Sequence, residues 1–529
     1  MKILRSAFLV SFFTVVSRIS GFIRDVLIAT IVGSGFFADV FFAAFKLTNI
    51  LRKILLEGSF FAAFVPSFTK IKEHYGLVEA KKFSSKMLSI TFYTVLCIVV
   101  IANIFMPHIT KFMAPGFVGE KLAMTISLSY IVFWYFVAIS LISILSGVLN
   151  GLHKFSYYAI VPILLNIVII LFVIFLKDKF QNIAYCLAWA VVLGGIIQFM
   201  FIYGACVYEK FTINLQRPTR DLVDDNTKTA YKKMLPSIIG GGLTQINTMI
   251  DLILGSYIIS GVSYLYYVDR LFFLPTSVIG TAISIVILPF ISKQIAAQRI
   301  DKANKYIDES LQLSAILVFP SAFTLFLNAE MITSIVFERG AFNAMDVHFV
   351  ATMLKILAVA LPFTVFNKIT STIFFSYSNT KTPMFITCLS VIVNVIISVS
   401  FMPYWGVYAI TFGTAVSYII SFIVGLIILL QKRMLILHVE LLKFFMKVII
   451  SSSIAFTTMQ YISMHHIYGY MPMVYDFGIL PKLTYIIALF TVAGIIYLVI
   501  GLTLGLNIFG MLFTKQSYSK NNKHSISNN

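Results

Sequence analysis

Apolar stretches of membrane length follow one another along almost the whole chain. At about 20 residues per spanning helix, about fourteen can be placed. They lie near 6–33, 36–68, 86–107, 122–149, 157–176, 182–208, 231–258, 262–291, 307–328, 347–376, 383–403, 405–430, 442–463 and 482–512. With 59% hydrophobic and only 12% charged residues, the composition excludes a soluble globular domain. The expected fold is an all-α integral membrane protein of about fourteen transmembrane helices. The first segment is too long for a cleavable signal peptide, and Arg18 and Arg24 interrupt what would be its apolar core.

A net charge of +19 would in another chain suggest nucleic acid. Here its distribution follows topology. With a cytoplasmic N-terminus, roughly 26 of the Lys and Arg residues fall in inside loops and tails, about 6 in outside loops and about 8 within spans. The basic loops are 70–86, 209–233 and 293–305, joined by Lys432, Arg433 and the tail. This asymmetry predicts that both termini are cytoplasmic, with attraction to anionic membrane lipid and no nucleic-acid partner. Cys97, Cys186, Cys206 and Cys388 sit in apolar segments without metal-ligand spacing and read as buried small hydrophobes.

The chain also contains a faint copy of itself. VPSFTK (65–70) ends the second segment and LPFISK (288–293) the eighth. ITKFMAPGF (109–117) follows the third, and ITSIVFERGAF (332–342) the ninth, at the same offset of 223 residues. LHKFSYYAIVPILLN (152–166) resembles NTKTPMFITCLSVIVN (379–394), with Asn166 over Asn394. Six segments separate the copies, so both halves keep one orientation. The pattern predicts two six-helix lobes in a pseudo-two-fold parallel repeat about the membrane normal. The lobes are residues 1–208 and 231–433, joined by a cytoplasmic linker at 209–230, either amphipathic or flexible. Two further helices occupy 434–513, and a polar tail 514–529.

The residues that constrain function are charges inside these segments. Arg18, Arg24 and Asp25 lie in the first; Asp39, Lys46, Arg52, Lys53 and Glu57 lie in the second. A charge at the centre of a spanning helix costs roughly 2.5–3.5 kcal/mol on insertion scales, so several in succession must face a protein-lined, wet cavity. On a straight helix Lys46, Asn49, Lys53 and Glu57 share one stripe, flanked by Arg52. Arg18 shares a face with Asp25, and Ser17 with Arg24, with Gly21 between them. Snorkelling explains Lys53 but not Arg24, deep in its segment. Asp269 and Arg270 in YYVDRLFFLP bring charge from the second lobe, either to the same cavity or as a local surface pair. A cationic cavity implies an anionic passenger, and three arginines from two lobes suit a diphosphate, because the guanidinium fork binds phosphate bidentately.

Asp251 in INTMIDLILG is a lone acid in the seventh segment, with Asn247 one turn away. It is a candidate Na⁺ or proton site with Asn394, Thr411 or Thr414; a structural hydrogen-bonded carboxylate is the competing reading. Lys355 and Lys368 are less specific. No motif for nucleotide hydrolysis, acyl transfer or zinc catalysis is present, and no cofactor beyond a coupling ion, Na⁺ or H⁺, is expected.

The segment SRISGFIRDVLIATIVGSGFFADVFFAAFKLTNILRKILLEGSFFAAFVP resembles the N-terminal signature of MurJ (MviN-type) lipid II flippases. YYVDRLFFLP, VFERGAF and the TKTP turn at 380–383 fit the second lobe of that family. The resemblance implies a fold of the multidrug/oligosaccharidyl-lipid/polysaccharide exporter superfamily. It also implies transport of an undecaprenyl-diphosphate-linked peptidoglycan precursor to the outer leaflet of the bacterial inner membrane, in company with other cell-wall synthesis proteins. By that analogy Arg18, Arg24, Arg52 and Arg270 line the central cavity. Ser17, Asp25, Asp39, Asn49, Lys53 and Glu57 support or gate it, and the two extra helices hold the lipid tail. Where some relatives carry an acid three positions after the eighth-segment Arg, this chain has Phe273.

The residues thus point to a flippase rather than an enzyme. A drug exporter for organic cations would not line its cavity with arginines, whereas an O-antigen lipid flippase fits the same physics. A transferase acting on lipid-linked sugars would need catalytic acids in an outside loop, for which 464–481, with one Asp, is the best remaining place.

Overall fold

The computed structural model describes residues 2–55, 59–476 and 479–506, with side chains described except at 2–8, 55, 59–62, 220, 235–241, 243–244, 463–476, 479–483 and 485–486. Every regular element among them is helical. In chain order these are α1 (Lys2–Val32), α2 (Phe36–Leu55), α3 (Ser59–Ile104), α4 (Met106–Met113), α5 (Gly119–Val132) and α6 (Tyr135–Gly151). Next come α7 (Ser156–Phe175), α8 (Ile183–Tyr208), α9 (Asp225–Ser256), α10 (Gly261–Pro275), α11 (Ala282–Ala296) and α12 (Ile300–Leu327). The last are α13 (Ala329–Phe337), α14 (Ala344–Ser376), α15 (Lys381–Trp405), α16 (Val407–Gln431), α17 (Val439–Asp476) and α18 (Ile479–Thr503). Among the described residues nine helical stretches are long and apolar enough to cross a membrane. The chain is a multi-pass membrane protein.

Several expected segments are interrupted for local reasons. α3 carries two helices joined at Gly76, whose φ of 82° only glycine adopts without strain. The fourth segment breaks at Phe133–Trp134 between α5 and α6. The eighth runs from α10 through a π-helical turn at Thr276–Thr281 into α11, beginning just after Pro275, which cannot donate a backbone bond. Many hydroxyls in the helices return to carbonyls one turn back, as Ser84 does to Ala80 and Ser89 to Ser85, which satisfies those donors without leaving the helix.

The helices gather into two compact units. The first comprises Met1–Arg270, Val336–Val350 and Asn394–Ile410; the second comprises Leu271–Ile335, Ala351–Val393 and Thr411–Asn529. In the first, α1 packs on α7, α3 on α6 and α9, and α2 on α5 and α9. In the second, α17 packs on α12 and α18 through Val448, Phe456, Met459, Ala493 and Tyr497, whose phenol donates to the carbonyl of Ile316 at 3.0 Å.

The linker after α8 is pinned rather than free. Phe211 and Ile213 are buried, Lys81 donates to Thr212 (2.7 Å), and Gln216 bonds Ser89 and Tyr93 of α3. Asp224 caps α9 through the amide of Thr227 and pairs with Lys86 at 2.8 Å. Burial pushes its carboxyl up, but Lys86 and the Thr227 amide outweigh this and hold it below the ordinary value. Two expectations change. Cys97 is exposed and Cys388 half-buried, whereas Cys186 and Cys206 are buried as expected. The stretch expected to form an outside loop at 464–481 is helical as far as Asp476, because α17 simply continues.

Candidate functional site

The site grows from the middle of α1. Arg24 and Asp25 are adjacent there, and both are buried. Arg24 grips one carboxylate oxygen of Asp25 side-on, through Nε at 3.0 Å and Nη2 at 2.6 Å. Its Nη1 donates to Oδ1 of Asn166 on α7 at 2.9 Å. Asn166 in turn donates to the carbonyl of Ser17 and to Oγ of Ser20. Gly21 makes this approach possible, since a Cβ there would stand 3.3 Å from the Asn166 amide. The guanidinium is therefore held on both edges, as a buried charge requires.

From α10, Tyr266 donates to the same Asp25 oxygen at 2.8 Å and lies within 3.3 Å of Arg24 Nη2. Its ring stacks on Phe42 at 3.7 Å between centroids. The guanidinium of Arg270 sits over the other side of that ring, 4.3 Å from its centroid, and its Nε reaches the second Asp25 oxygen at 3.2 Å. Asp25 is 4% exposed and Arg270 41%, so the cluster presents its Arg270 side outward. Arg18 is exposed two turns before Asp25. On α2, Arg52 donates to Asn49 at 3.1 Å and Lys53 is exposed. Glu57 lies outside the described residues.

Asp39 belongs to a different place. It is 0% exposed, accepts from Lys121 of α5 at 2.6 Å and from the amide of Ser263 at 2.8 Å. Ser263 Oγ donates to the carbonyl of Ser34, whose hydroxyl bonds Asp346. Asp346 also accepts from Tyr264 and from the amide of Asn343, closing a capping box at the start of α14. Beside this network the amide of Ala341 bonds the carbonyl of Thr30 at 2.8 Å. Gly340 (φ 57°) and Gly33 (φ 70°) let the two turns touch; a Cβ on Gly340 would fall 2.2 Å from the Thr30 oxygen. The α1–α2 turn is thus fastened to α10 and to the turn before α14.

A third cluster lies on α9. Asn394 of α15 donates through Nδ2 to Asn247 at 3.3 Å and to Asp251 at 3.4 Å, and its Oδ1 accepts from Ser398 at 3.0 Å. Among the described residues no group of three or more His, Cys, Asp or Glu could hold a metal ion.

Arg24, Asp25, Arg270 and Asn166 thus meet, as do Asp251 and Asn394. Lys121, Ser263, Tyr266 and Asp346 carry no mark in the sequence apart from the position of Tyr266 in the YYVDR motif.

The sequence pattern of the family described as "Lipid II flippase MurJ" matches residues 28–477. The chain belongs to this family. A probable lipid II flippase MurJ from Rhizobium tropici is 34% identical over 410 residues, 76% of each chain. A lipid II flippase MurJ from Burkholderia cenocepacia is 30% identical over 420 residues, 79% of this chain and 81% of its own. Among solved structures, a lipid II flippase MurJ in an inward closed conformation superposes with a TM-score of 0.76, at 23% identity, over 93% of this chain and 98% of that one. An inward-facing multidrug resistance MATE family transporter of the MOP superfamily gives 0.66 at 14% identity, over 79% and 94%. At these identities the two structures speak for the fold alone. As a MurJ family member the chain is a flippase, a transporter rather than an enzyme.

Proposed function

We propose that this chain carries lipid II, an undecaprenyl-diphosphate-linked sugar peptide, from the inner to the outer leaflet of the bacterial cytoplasmic membrane. One observation carries the reading: two guanidinium groups from helices distant in sequence, α1 and α10, converge on one buried carboxylate. A diphosphate dragged unaided through hydrocarbon would face a barrier far above thermal energy. Arg24 and Arg270, with Arg18 and Arg52 towards the openings, replace its hydration with charge-assisted hydrogen bonds. A cavity opening alternately to each face then lets the head group cross. Both termini lie in the cytoplasm in this reading. Residues 1–208 and 231–433 act as the two lobes, and the apolar outer faces of α17 and α18 receive the lipid tail. The network around Asp39 closes the outer end.

The membrane potential, worth about 2.3 kcal/mol per charge per 100 mV, favours outward movement of the anion. Asp251, Asn247 and Asn394 form the coupling-ion site. Their oxygen donors suit Na⁺ once the Asn394 amide turns its oxygen towards Asp251, and a proton on Asp251 is the alternative cargo.

Depletion of the protein tests the passenger. Accumulation of lipid-linked peptidoglycan precursor in the inner leaflet is the expected outcome. Accumulation of an O-antigen lipid instead would replace the passenger and keep the transporter.

A further inference from the structure

We propose that Asp25 is a built-in competitor for the passenger's diphosphate, and that its displacement sets how tightly the passenger is held. This rests on the proposal that Arg24 and Arg270 bind the diphosphate. A carboxylate and a phosphate group ask for the same donors in the same plane. Asp25 takes the Nε–Nη2 edge of Arg24 at 3.0 and 2.6 Å, while Nη1 is committed to Asn166. The side-on edge of Arg24 is thus taken by Asp25, and both nitrogens of its end-on edge already have partners, Asn166 on Nη1 and Tyr266 on Nη2. The Nε of Arg270 is turned to the other Asp25 oxygen at 3.2 Å. Side-on bidentate capture of a phosphate by Arg24 requires Asp25 to let go.

Tyr266 gives the displaced carboxylate somewhere to stay. Its phenol donates to Asp25 at 2.8 Å, and its ring is stacked on Phe42, a contact that involves neither guanidinium. Asp25 keeps this bond when the arginines turn away and returns to them when the diphosphate leaves. A carrier benefits from this arrangement. Without an internal anion, two arginines would hold a diphosphate too firmly to release it. With Asp25, part of the binding free energy goes into breaking an existing pair and comes back at release.

The test uses full-length protein in nanodiscs, with undecaprenyl diphosphate as the probe, and flipping of a diphosphate lipid in proteoliposomes. Asp25→Asn, checked by thermal unfolding, is expected to bind undecaprenyl diphosphate at least ten-fold more tightly and to flip with lower KM and lower kcat together. A merely structural Asp25 would leave affinity unchanged or weaken it, and either result from the folded variant overturns the proposal. Asp25→Ser serves where the Asn side chain still engages Arg24. If neither folds, Tyr266→Phe decides. It removes the one donor left to Asp25 once the arginines turn away, a loss that costs more in the bound state than in the free state, where both guanidinium groups still satisfy the carboxylate, so affinity should fall about three-fold or more; unchanged affinity overturns the proposal. Arg24→Ala separates the two readings. Wild-type affinity in Arg24→Ala defeats the diphosphate site itself. Lost affinity there, without tightening in Asp25→Asn, defeats only the competitor role.

Discussion

Two helix junctions in this protein share a plan and differ in charge. At one, Asn166 of α7 reaches α1 at Ser17, Ser20 and Arg24. At the other, Asn394 of α15 reaches α9 at Asn247 and Asp251. Ser20 and Asn247 are 227 residues apart, as are Arg24 and Asp251, and the two asparagines are 228 apart. The same amide therefore bonds the same two steps of an equivalent helix, with a guanidinium in one copy and a carboxylate in the other. An asparagine suits both, because its side chain offers an acceptor to Arg24 and donors to Asp251. One kind of asparagine-bridged junction thus accommodates a guanidinium in one place and a carboxylate in the other, and under the proposed function the first serves the diphosphate and the second the coupling ion.

The largest effect should come from neutralising each charge while keeping its hydrogen bond. Arg24→Gln is expected to reduce flipping of a diphosphate lipid in proteoliposomes at least 100-fold. Asp251→Asn should lower only the part of flipping that depends on an imposed Na⁺ or H⁺ gradient, with diphosphate-lipid binding nearly unchanged. If both variants lose lipid binding alike, the two junctions do not differ in role.

Removing the asparagines comes next. A hydrogen bond to a charged group contributes about 1.5–3 kcal/mol, and about 1.4 kcal/mol is a factor of ten. Asn166→Ala should therefore weaken diphosphate-lipid binding about ten-fold or more. Asn394→Ala should leave that affinity alone and shift the ion dependence. Equal losses of lipid affinity would break the comparison.

Gly21→Ala probes the first junction more gently. The new methyl meets the Asn166 amide at 3.3 Å, so Asn166 must give by a few tenths of an ångström. Flipping should fall less than about three-fold, well short of the Asn166→Ala loss expected from the hydrogen bond.

The smallest effect is expected at the linker. Asp224 is held below its ordinary pKa chiefly by Lys86 and the Thr227 amide, against a burial that raises it. A depressed carboxyl contributes stability that is present above its unfolded pKa and is lost as pH falls through its folded value. Docking of residues 211–224 on α3 should thus be complete at neutral pH and loosen only in strong acid. Asp224→Ala should raise hydrogen exchange there at neutral pH, with little change in flipping; unchanged exchange would mean that Phe211 and Ile213 hold the linker by themselves.

The spans were legible because a bilayer demands long apolar runs. The segments expected at 157–176 and 383–403 are the helices Ser156–Phe175 and Lys381–Trp405. The break at Phe133–Trp134 and the π-turn at 276–281 were not, since neither changes the hydrophobic pattern. Arg24 and Arg270 stood out because charge is rare at that depth. Tyr266 and Ser263 did not, because phenols and hydroxyls are common in apolar helices and only the packing shows what they touch. Lys121 and Asp346 lie near helix starts, where a charge needs no special reason. Asp39 was read together with the arginines; its bonds to Lys121 and Ser263 place it in a separate network.

In the proposed mechanism a guanidinium at position 24 holds the passenger's diphosphate. Binding of undecaprenyl diphosphate to full-length protein in nanodiscs tests it most directly, comparing wild type, Arg24→Lys and Arg24→Ala at equal folded protein. Arg24→Ala should show no measurable binding and Arg24→Lys only poor rescue, because an ammonium lacks the planar fork. Wild-type affinity in Arg24→Ala would contradict it.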